Sequence, residues 1–219
     1  MDPQKLSDCQ SSYDRIAEEY TSRIAGELEH KPLDRMLLDE FAARLKEAGR
    51  VCELGCGPGH VARYLHDRGV DILGIDLSPG MLEQARKLNP AIEFRQGNIL
   101  ALDVEDGSWA AIVAFYSIIH IPRTDILQAL REMFRALKPG GLLFLAFHIG
   151  LEVLREENLW GHQVSLDVVF YARKEVERYL GLAGFAIEDS LERDPYAPEV
   201  EYQSRRAYIR ARKPAQAQA

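Results

Sequence analysis

Val51-Cys52-Glu53-Leu54-Gly55-Cys56-Gly57-Pro58-Gly59-His60 reads as a four-residue buried strand, a tight glycine turn and the first residue of a helix. Glycine lets the backbone take positive φ and approach a ligand closely. On an open parallel sheet, ligands bind at the carboxyl ends of the strands. Two ligand classes suit such a loop. A dinucleotide sets its pyrophosphate on the helix N-terminus, with the fingerprint GxGxxG. Gly55 and Gly57 fit that pattern, but the third glycine position is His60. Glu53 also stands just before the turn, where it opposes a pyrophosphate. Two like charges about 4 Å apart, at an effective dielectric near 20, cost on the order of 4 kcal/mol. A ligand bearing an ammonium or sulfonium group is attracted by Glu53 instead, and the sign of the charge favours it. Asp76, at the end of the next strand, suits ribose hydroxyls in either class.

Working outward, strands are expected at 51–54, 71–75, 92–95, 109–115 and 142–147, with helices between them at 60–68, 79–88 and over Ile126, Leu130, Met133 and Leu137. Ser78-Pro79 supplies an N-cap followed by a first-turn proline, and Pro139-Gly140-Gly141 stops the helix before it. Apolar strands alternating with helices mean an α/β fold with a parallel sheet covered on both faces. Two helical patterns precede it: Tyr13, Ile16, Ala17, Tyr20 and Ile24, then Leu33 to Leu45 after Pro32, with a polar turn at 26–31. Residues 149–163 have no clean period. A strand is expected at 164–171, a helix at 173–183 and a strand at 185–191. The alternating Arg206, Tyr208, Arg210 and Arg212 predict a half-exposed antiparallel strand at or near a sheet edge.

The 219 residues, 47% hydrophobic, suffice for one compact domain with its own core. The organisation expected is an N-terminal helical cap over 1–48, a ligand-binding domain over 49–213 with a lid at about 149–171, and a frayed tail at 214–219. A net charge of −7, from 27 Lys+Arg against 34 Asp+Glu, lacks the basic footprint of a nucleic-acid binder. No apolar run has the length of a membrane span, and Met1-Asp2-Pro3-Gln4-Lys5 does not read as a secretory signal. Three cysteines without framework spacing, and no HExxH or CxxC, suit a reducing cytoplasm and no metal site.

The sequence resembles the class I S-adenosylmethionine-dependent methyltransferases. Glu53-Leu54-Gly55-Cys56-Gly57-Pro58-Gly59 looks like their first motif and Gly74-Ile75-Asp76-Leu77-Ser78-Pro79-Gly80-Met81-Leu82 like their second. Phe94 to Ile99, Phe115 to Ile121 and Leu137 to Gly141 match the later regions in order. The resemblance covers residues 50–148. It implies a Rossmann-like three-layer sandwich with a seven-stranded, mostly parallel sheet whose last strand is antiparallel. It implies S-adenosylmethionine as cofactor, with Gly55, Cys56 and Gly57 along its methionyl part and Glu53 nearby. Asp76 would take the ribose, Leu77, Met81 and Ile99 the adenine face, Asn98 the adenine's polar edge, and Phe115 the adenosyl border. Asn98 departs from the more usual Asp, but still offers a donor and an acceptor. Tyr13-Asp14-x-x-Ala17-x-x-Tyr20 looks like family members whose first helix covers the cofactor, with Tyr20 at its carboxylate.

Methyl transfer to a protonated oxygen or nitrogen is helped by a base, and histidine is the usual one. His148, ending the fifth strand, is the first candidate and His120, after the fourth, the second; His162 falls in the irregular segment. Tyr116 and Trp160 are candidates for the acceptor pocket, with Phe170 and Tyr171 as further wall or plain core. Arg205 and Arg206 meet an acidic acceptor or, more ordinarily, solvent. The fourth region, Ala114-Phe115-Tyr116-Ser117, lacks the motifs of nucleic-acid base methyltransferases. The expected partner is a small-molecule acceptor, not nucleic acid or membrane, and the expected state a monomer or homodimer. A non-catalytic cofactor-binding module and a nicotinamide oxidoreductase are the alternatives.

Overall fold

The computed structural model describes residues 1–45 and 47–215; of the expected tail, residues 216–219 lie outside them. The chain forms α1 (Pro3–Ile24), α2 (Pro32–Leu45), β1 (Val51–Leu54), α3 (His60–His66), β2 (Ile72–Asp76), α4 (Pro79–Leu88), β3 (Glu93–Gln96), β4 (Trp109–Phe115), α5 (Ile126–Ala136), β5 (Leu137–His148), β6 (Val153–Leu159), β7 (His162–Val169), α6 (Arg173–Ala183), β8 (Ala186–Arg193) and β9 (Arg206–Arg212). A seven-stranded sheet runs β3-β2-β1-β4-β5-β9-β8. The strands β1 to β5 are parallel, and β9 is antiparallel to both β5 and β8.

Strand alternation decides which helices lie on which face. In β4, Ala111, Val113 and Phe115 face one layer and Ile112 and Ala114 the other. The first layer is α2, α3 and α4, through Leu38, Phe41, Val61, Leu65, Leu82 and Ala85. The second is α5 and α6, through Ile126, Leu130, Met133, Val176 and Leu180. Both faces are covered, so central strands such as β1 and β4 are buried throughout rather than alternating.

Two expectations are corrected. The last strand is not half-exposed. It lies one strand in from the edge, covered by β8, and Arg206 is only 2% exposed. Its outer arginines are absorbed by carboxylates: Arg210 by Asp189 (2.8 Å) and Glu40 (2.7 Å), Arg212 by Glu188 (2.6 Å). The aperiodic segment after β5 is a β-hairpin, with Leu159 opposite His162 and Trp160-Gly161 as a two-residue loop. Both loop residues have positive φ, 53° and 87°, which twists a hairpin in the favoured sense. The strand β6, Val-Leu-Arg-Glu-Glu-Asn-Leu, buries no residue fully, so it carries no apolar period to read.

α1 and the hairpin pack together, with Ile16, Ala17, Val164 and Leu166 in a small core that also takes Met81 of α4. Polar contacts stitch the two: Ser165 N donates to Ser12 Oγ (2.8 Å), Lys5 pairs with Asp167 (2.8 Å), and Arg15 donates to the Gln163 carbonyl. Asp14 ties α1 to the start of α4, accepting from Ser78 Oγ (2.5 Å) and Gly80 N (2.8 Å). No described helix is long and apolar enough to cross a membrane.

Candidate functional site

The strand order reverses between β1 and β4, and the carboxyl ends there are where an open α/β sheet leaves a crevice. A cavity of about 130 Å³ occupies it. The eleven residues expected around the cofactor all line this cavity: Tyr20, Glu53, Gly55, Cys56, Gly57, Asp76, Leu77, Met81, Asn98, Ile99 and Phe115. Tyr116 and His120 line it too.

The floor is built by the glycine turn. Gly55 has φ +69°, and a Cβ there would lie 2.3 Å from the Ser117 Cβ, so the β1 turn and the segment after β4 can meet only at glycine. Asp76 closes the turn from below. Its Oδ2 accepts from Gly57 N and its Oδ1 from Ser78 N, each at 2.8 Å. Each oxygen keeps a further lone pair. Burial pushes the Asp76 carboxyl up, against the hydrogen bonds from Ser78 and Gly57 that hold it down. Glu53, 2% exposed, accepts from Ala62 N at 2.7 Å and thereby caps α3. Burial pushes its carboxyl well above the usual range, with the Asp76 charge adding to the shift. A buried carboxyl without a counter-charge favours a cationic group beside it. Asn98 Oδ1 accepts from Leu100 N at 2.9 Å, which leaves its NH₂ to donate elsewhere.

The roof is α1. Leu6, Cys9, Tyr13 and Tyr20 face the cavity from above. The Tyr13 hydroxyl lies 2.6 Å from His120 Nε2, and His120 Nδ1 lies 3.0 Å from the Asp167 carbonyl. A carbonyl only accepts, so Nδ1 carries the proton and the Nε2 lone pair receives the Tyr13 O–H. Burial pushes the His120 imidazole down, toward the neutral form. A neutral imidazole with an oriented Nε2 lone pair at the cavity wall is a competent base.

The acidic lining residues are Glu27, Glu53 and Asp76, and among the described residues no Lys or Arg side chain lines the cavity. Two lining residues hold a buried polar atom with no partner among the described residues, Ser117 at Oγ and His60 at Nδ1. This acceptor-rich floor with carboxylates fits an adenosine carrying positive charge and does not fit a pyrophosphate.

His148 and Trp160 do not line the cavity. Tyr116 stands between it and His148, with ring centroids 5.2 Å apart. His148 Nδ1 is engaged with Ser204 Oγ at 2.7 Å, and burial, with Arg206 and Lys31 nearby, pushes its imidazole down to about 3. Trp160 sits at the hairpin tip, against the outer side of Tyr20 (6.0 Å) and under Arg23 (4.8 Å). Phe170 and Tyr171 are core, and the Tyr171 hydroxyl donates to the Ile121 carbonyl. His162 opens β7. Arg205 is exposed against Glu192 and Asp194, as expected of a solvated charge. Arg206 is the exception. The loop before β9 folds Glu201 beneath it at 3.5 Å, and its guanidinium stands 5.6 Å from the Tyr116 ring.

Sequence reasoning missed Glu27, His60 and Ser117 as lining residues and Tyr13 as the partner of His120. His60 was in view as a broken glycine pattern. Glu27 had no signal, because it reaches the site from the 3-10 turn between α1 and α2.

Residues 51–141 match the family described as methyltransferase domain. A malonyl-[acyl-carrier protein] O-methyltransferase of Enterobacter lignolyticus is 35% identical over 118 residues, covering 52% of this chain and 46% of that one. The chain spans about half the length of the curated relatives it matches. Among solved structures, a DhpI–SAH complex superposes with a TM-score of 0.71 at 20% identity, over 97% of this chain and 98% of that one. The [4+2]-cyclase SpnF superposes with a TM-score of 0.74 at 19% identity, over 96% and 97%. These superpositions establish the fold.

Proposed function

We propose that the chain, whose residues 51–141 match the family described as methyltransferase domain, is of the class I S-adenosylmethionine-dependent kind and transfers a methyl group from that cofactor to a small, uncharged acceptor through its oxygen or nitrogen. The observation that carries this reading is one cavity lined both by the cofactor floor (Glu53, the glycine turn, Asp76) and by the neutral base His120. When bound, the cofactor supplies a methyl on a positively charged sulfur, which leaves as a neutral thioether. Asp76 would hold the ribose hydroxyls with its spare lone pairs, and Leu77, Met81 and Ile99 would enclose the adenine. Glu53 would face the positive end. Phe115 and Tyr116 would wall the reacting centre, and apolar walls exclude water there.

The base in this reading is His120. An acceptor O–H or N–H that takes the place of the Tyr13 hydroxyl on Nε2 hands its proton to His120 as the new bond to carbon forms. Nδ1–H stays on the Asp167 carbonyl and holds the ring in plane. An anionic acceptor is disfavoured, because the side chains that bring charge to the lining are carboxyls. The remaining reading is of a cytoplasmic protein whose partner is this small molecule rather than nucleic acid, acting as a monomer or homodimer.

The test is calorimetric titration with S-adenosylhomocysteine, with a nicotinamide dinucleotide as control, followed by a screen of neutral phenols, alcohols and amines for methyl transfer. Saturable binding of the first ligand and turnover that disappears in His120→Ala support the proposal. Dinucleotide binding alone would move the protein to hydride transfer. Cofactor binding with no turnover across the screen would favour a non-catalytic module.

A further inference from the structure

The Tyr13 hydroxyl, 2.6 Å from His120 Nε2, is a phenol already seated on the base. Burial pushes that hydroxyl well above its ordinary range, so it stays an O–H and donates. The Tyr13 ring lies edge-to-face against His120, with centroids 5.2 Å apart and planes at 73°. It lies edge-to-face against Tyr20 as well, at 5.7 Å and 78°. The surroundings of Nε2 thus accommodate a six-membered aromatic ring that carries a hydroxyl.

The lining on this side has the same character. Phe115 ends β4 and Tyr116 follows it, just before His120 in the chain; both line the cavity and lie edge-to-face at 6.3 Å and 77°. The aliphatic lining of Leu77, Met81 and Ile99 comes from elsewhere, after β2, in α4 and after β3. Aromatic walls favour an aromatic partner beyond the apolar area it buries. Acidity points the same way. Burial holds the His120 imidazole below its ordinary range, so it is a weak base. A phenol ionises at about 10, whereas an aliphatic hydroxyl lies close to water at about 16. A weak base shares the phenol's proton far more readily, because proton transfer follows the match between acid and base.

We propose that the acceptor is a phenol, which displaces the Tyr13 hydroxyl from His120 Nε2 and leaves as an aryl methyl ether. This rests on the methyl-transfer reading of the cavity. The phenol oxygen forms the new bond to the methyl carbon, the carbon–sulfur bond breaks with its electron pair left on sulfur, and the phenolic proton passes to His120 Nε2. Tyr13 is then an internal stand-in for the acceptor. It occupies the lone pair while no acceptor is bound, and an acceptor competes with it.

The experiment measures binding by calorimetry with S-adenosylhomocysteine held at saturation. Four probes are compared: 4-methylphenol, which is the tyrosine side chain as a free molecule; 4-methylanisole, which lacks the O–H; 4-methylcyclohexanol, which lacks the aromatic ring; and 4-methylbenzylamine, a cation. The parent should bind 4-methylphenol about fivefold or more tighter than each of the others, the scale of one hydrogen bond. Tyr13→Phe keeps the ring and vacates the lone pair. It should therefore tighten 4-methylphenol about threefold or more, on the same scale, and move 4-methylanisole less than about twofold. His120→Ala should bring 4-methylphenol level with 4-methylanisole. Affinity for S-adenosylhomocysteine within about threefold of the parent shows that each variant is folded, the scale of less than one hydrogen bond. If His120→Ala does not fold, Tyr13→Phe decides alone. Labelled methyl from S-adenosylmethionine should appear on 4-methylphenol and not on 4-methylcyclohexanol. Preference for the cyclohexanol or the amine, or unchanged or weaker 4-methylphenol binding in Tyr13→Phe, would overturn the assignment. A parent that binds S-adenosylhomocysteine but none of the probes would overturn the phenol and leave the cofactor reading in place. A parent that does not bind S-adenosylhomocysteine would overturn the cofactor reading itself.

Discussion

Replacing Asp76 by alanine separates what the carboxylate does for the fold from what it does for a ligand. In the free protein the substitution removes two charge-assisted hydrogen bonds, from Gly57 N and Ser78 N, each at 2.8 Å. Both amides are partly buried, so leaving each without its acceptor costs about 1–2 kcal/mol, or about 2–4 kcal/mol together. For a domain of this size each kcal/mol moves the melting temperature by about 3 °C, so the variant should melt about 6–12 °C lower without ligand. Ligand binding then loses a second quantity. Up to two ribose hydroxyls lose a charged acceptor, at about 1.5–3 kcal/mol each, so S-adenosylhomocysteine should weaken by at least tenfold. Differential scanning fluorimetry without ligand reads the first effect and calorimetry the second. An unchanged melting temperature would show that Asp76 does not hold the glycine turn. A lowered melting temperature with unchanged affinity would show that the carboxylate is structural alone and that the ribose sits elsewhere.

Glu53→Gln keeps the acceptor for Ala62 N while removing the ability to ionise beside a cation; because burial already favours the protonated carboxyl, the unliganded melting temperature should hold within about 2 °C or rise, while affinity for a cationic cofactor falls. A lower melting temperature with unaltered affinity would reverse that assignment. His120→Ala should lower turnover about a hundredfold with cofactor affinity nearly intact, the usual scale of a lost base; a change of less than threefold would remove His120 from the chemistry. His148 carries a pH prediction. Its folded-state value, about 3, lies below that of the unfolded chain, so it favours the folded state above about pH 6.5 and costs about 1.4 kcal/mol per unit as pH falls from there toward 3. His148→Gln should therefore flatten the loss of stability between pH 6 and pH 4, and an unchanged slope would show that His148 gains its proton freely in the folded state.

The floor of the site was legible because each of its parts is a local pattern. A strand, a glycine turn and a helix start are contiguous, and Asp76 follows at a fixed spacing. β1, β4, α4 and α6 were readable to the residue because they carry clean apolar periods and clear stops such as Ser78-Pro79 and Gly184. The first strand of the hairpin was not readable, since Arg155, Glu156 and Glu157 sit where a half-buried strand would show alternation, whereas the strand expected at 164–171 overlaps β7. Nor was the choice between the two histidines. His120 and His148 both end up near strand ends, and only the third dimension shows that Tyr116 screens one and Tyr13 meets the other. Arg206 misled because alternating arginines look solvated; the carboxylate that buries it, Glu201, comes from the loop just before it.

The stitching of α1 to the hairpin has a kinetic consequence. Any motion that widens the cavity from above lifts α1, and α1 is bound to β7 through Ser12–Ser165, Lys5–Asp167 and Arg15–Gln163, so the two rise as one body. The contacts that break as they rise are those of Asp14 with Ser78 Oγ and Gly80 N and of Tyr13 with His120, worth about 1 kcal/mol each, so the raised state is a minority of on the order of 1–10%. Entry and exit both pass through that minority, which slows arrival and departure by the same factor. The equilibrium constant is then untouched while the residence time lengthens by about ten- to a hundredfold, and under the proposed methyl transfer the release of the spent nucleoside should set the pace of the cycle.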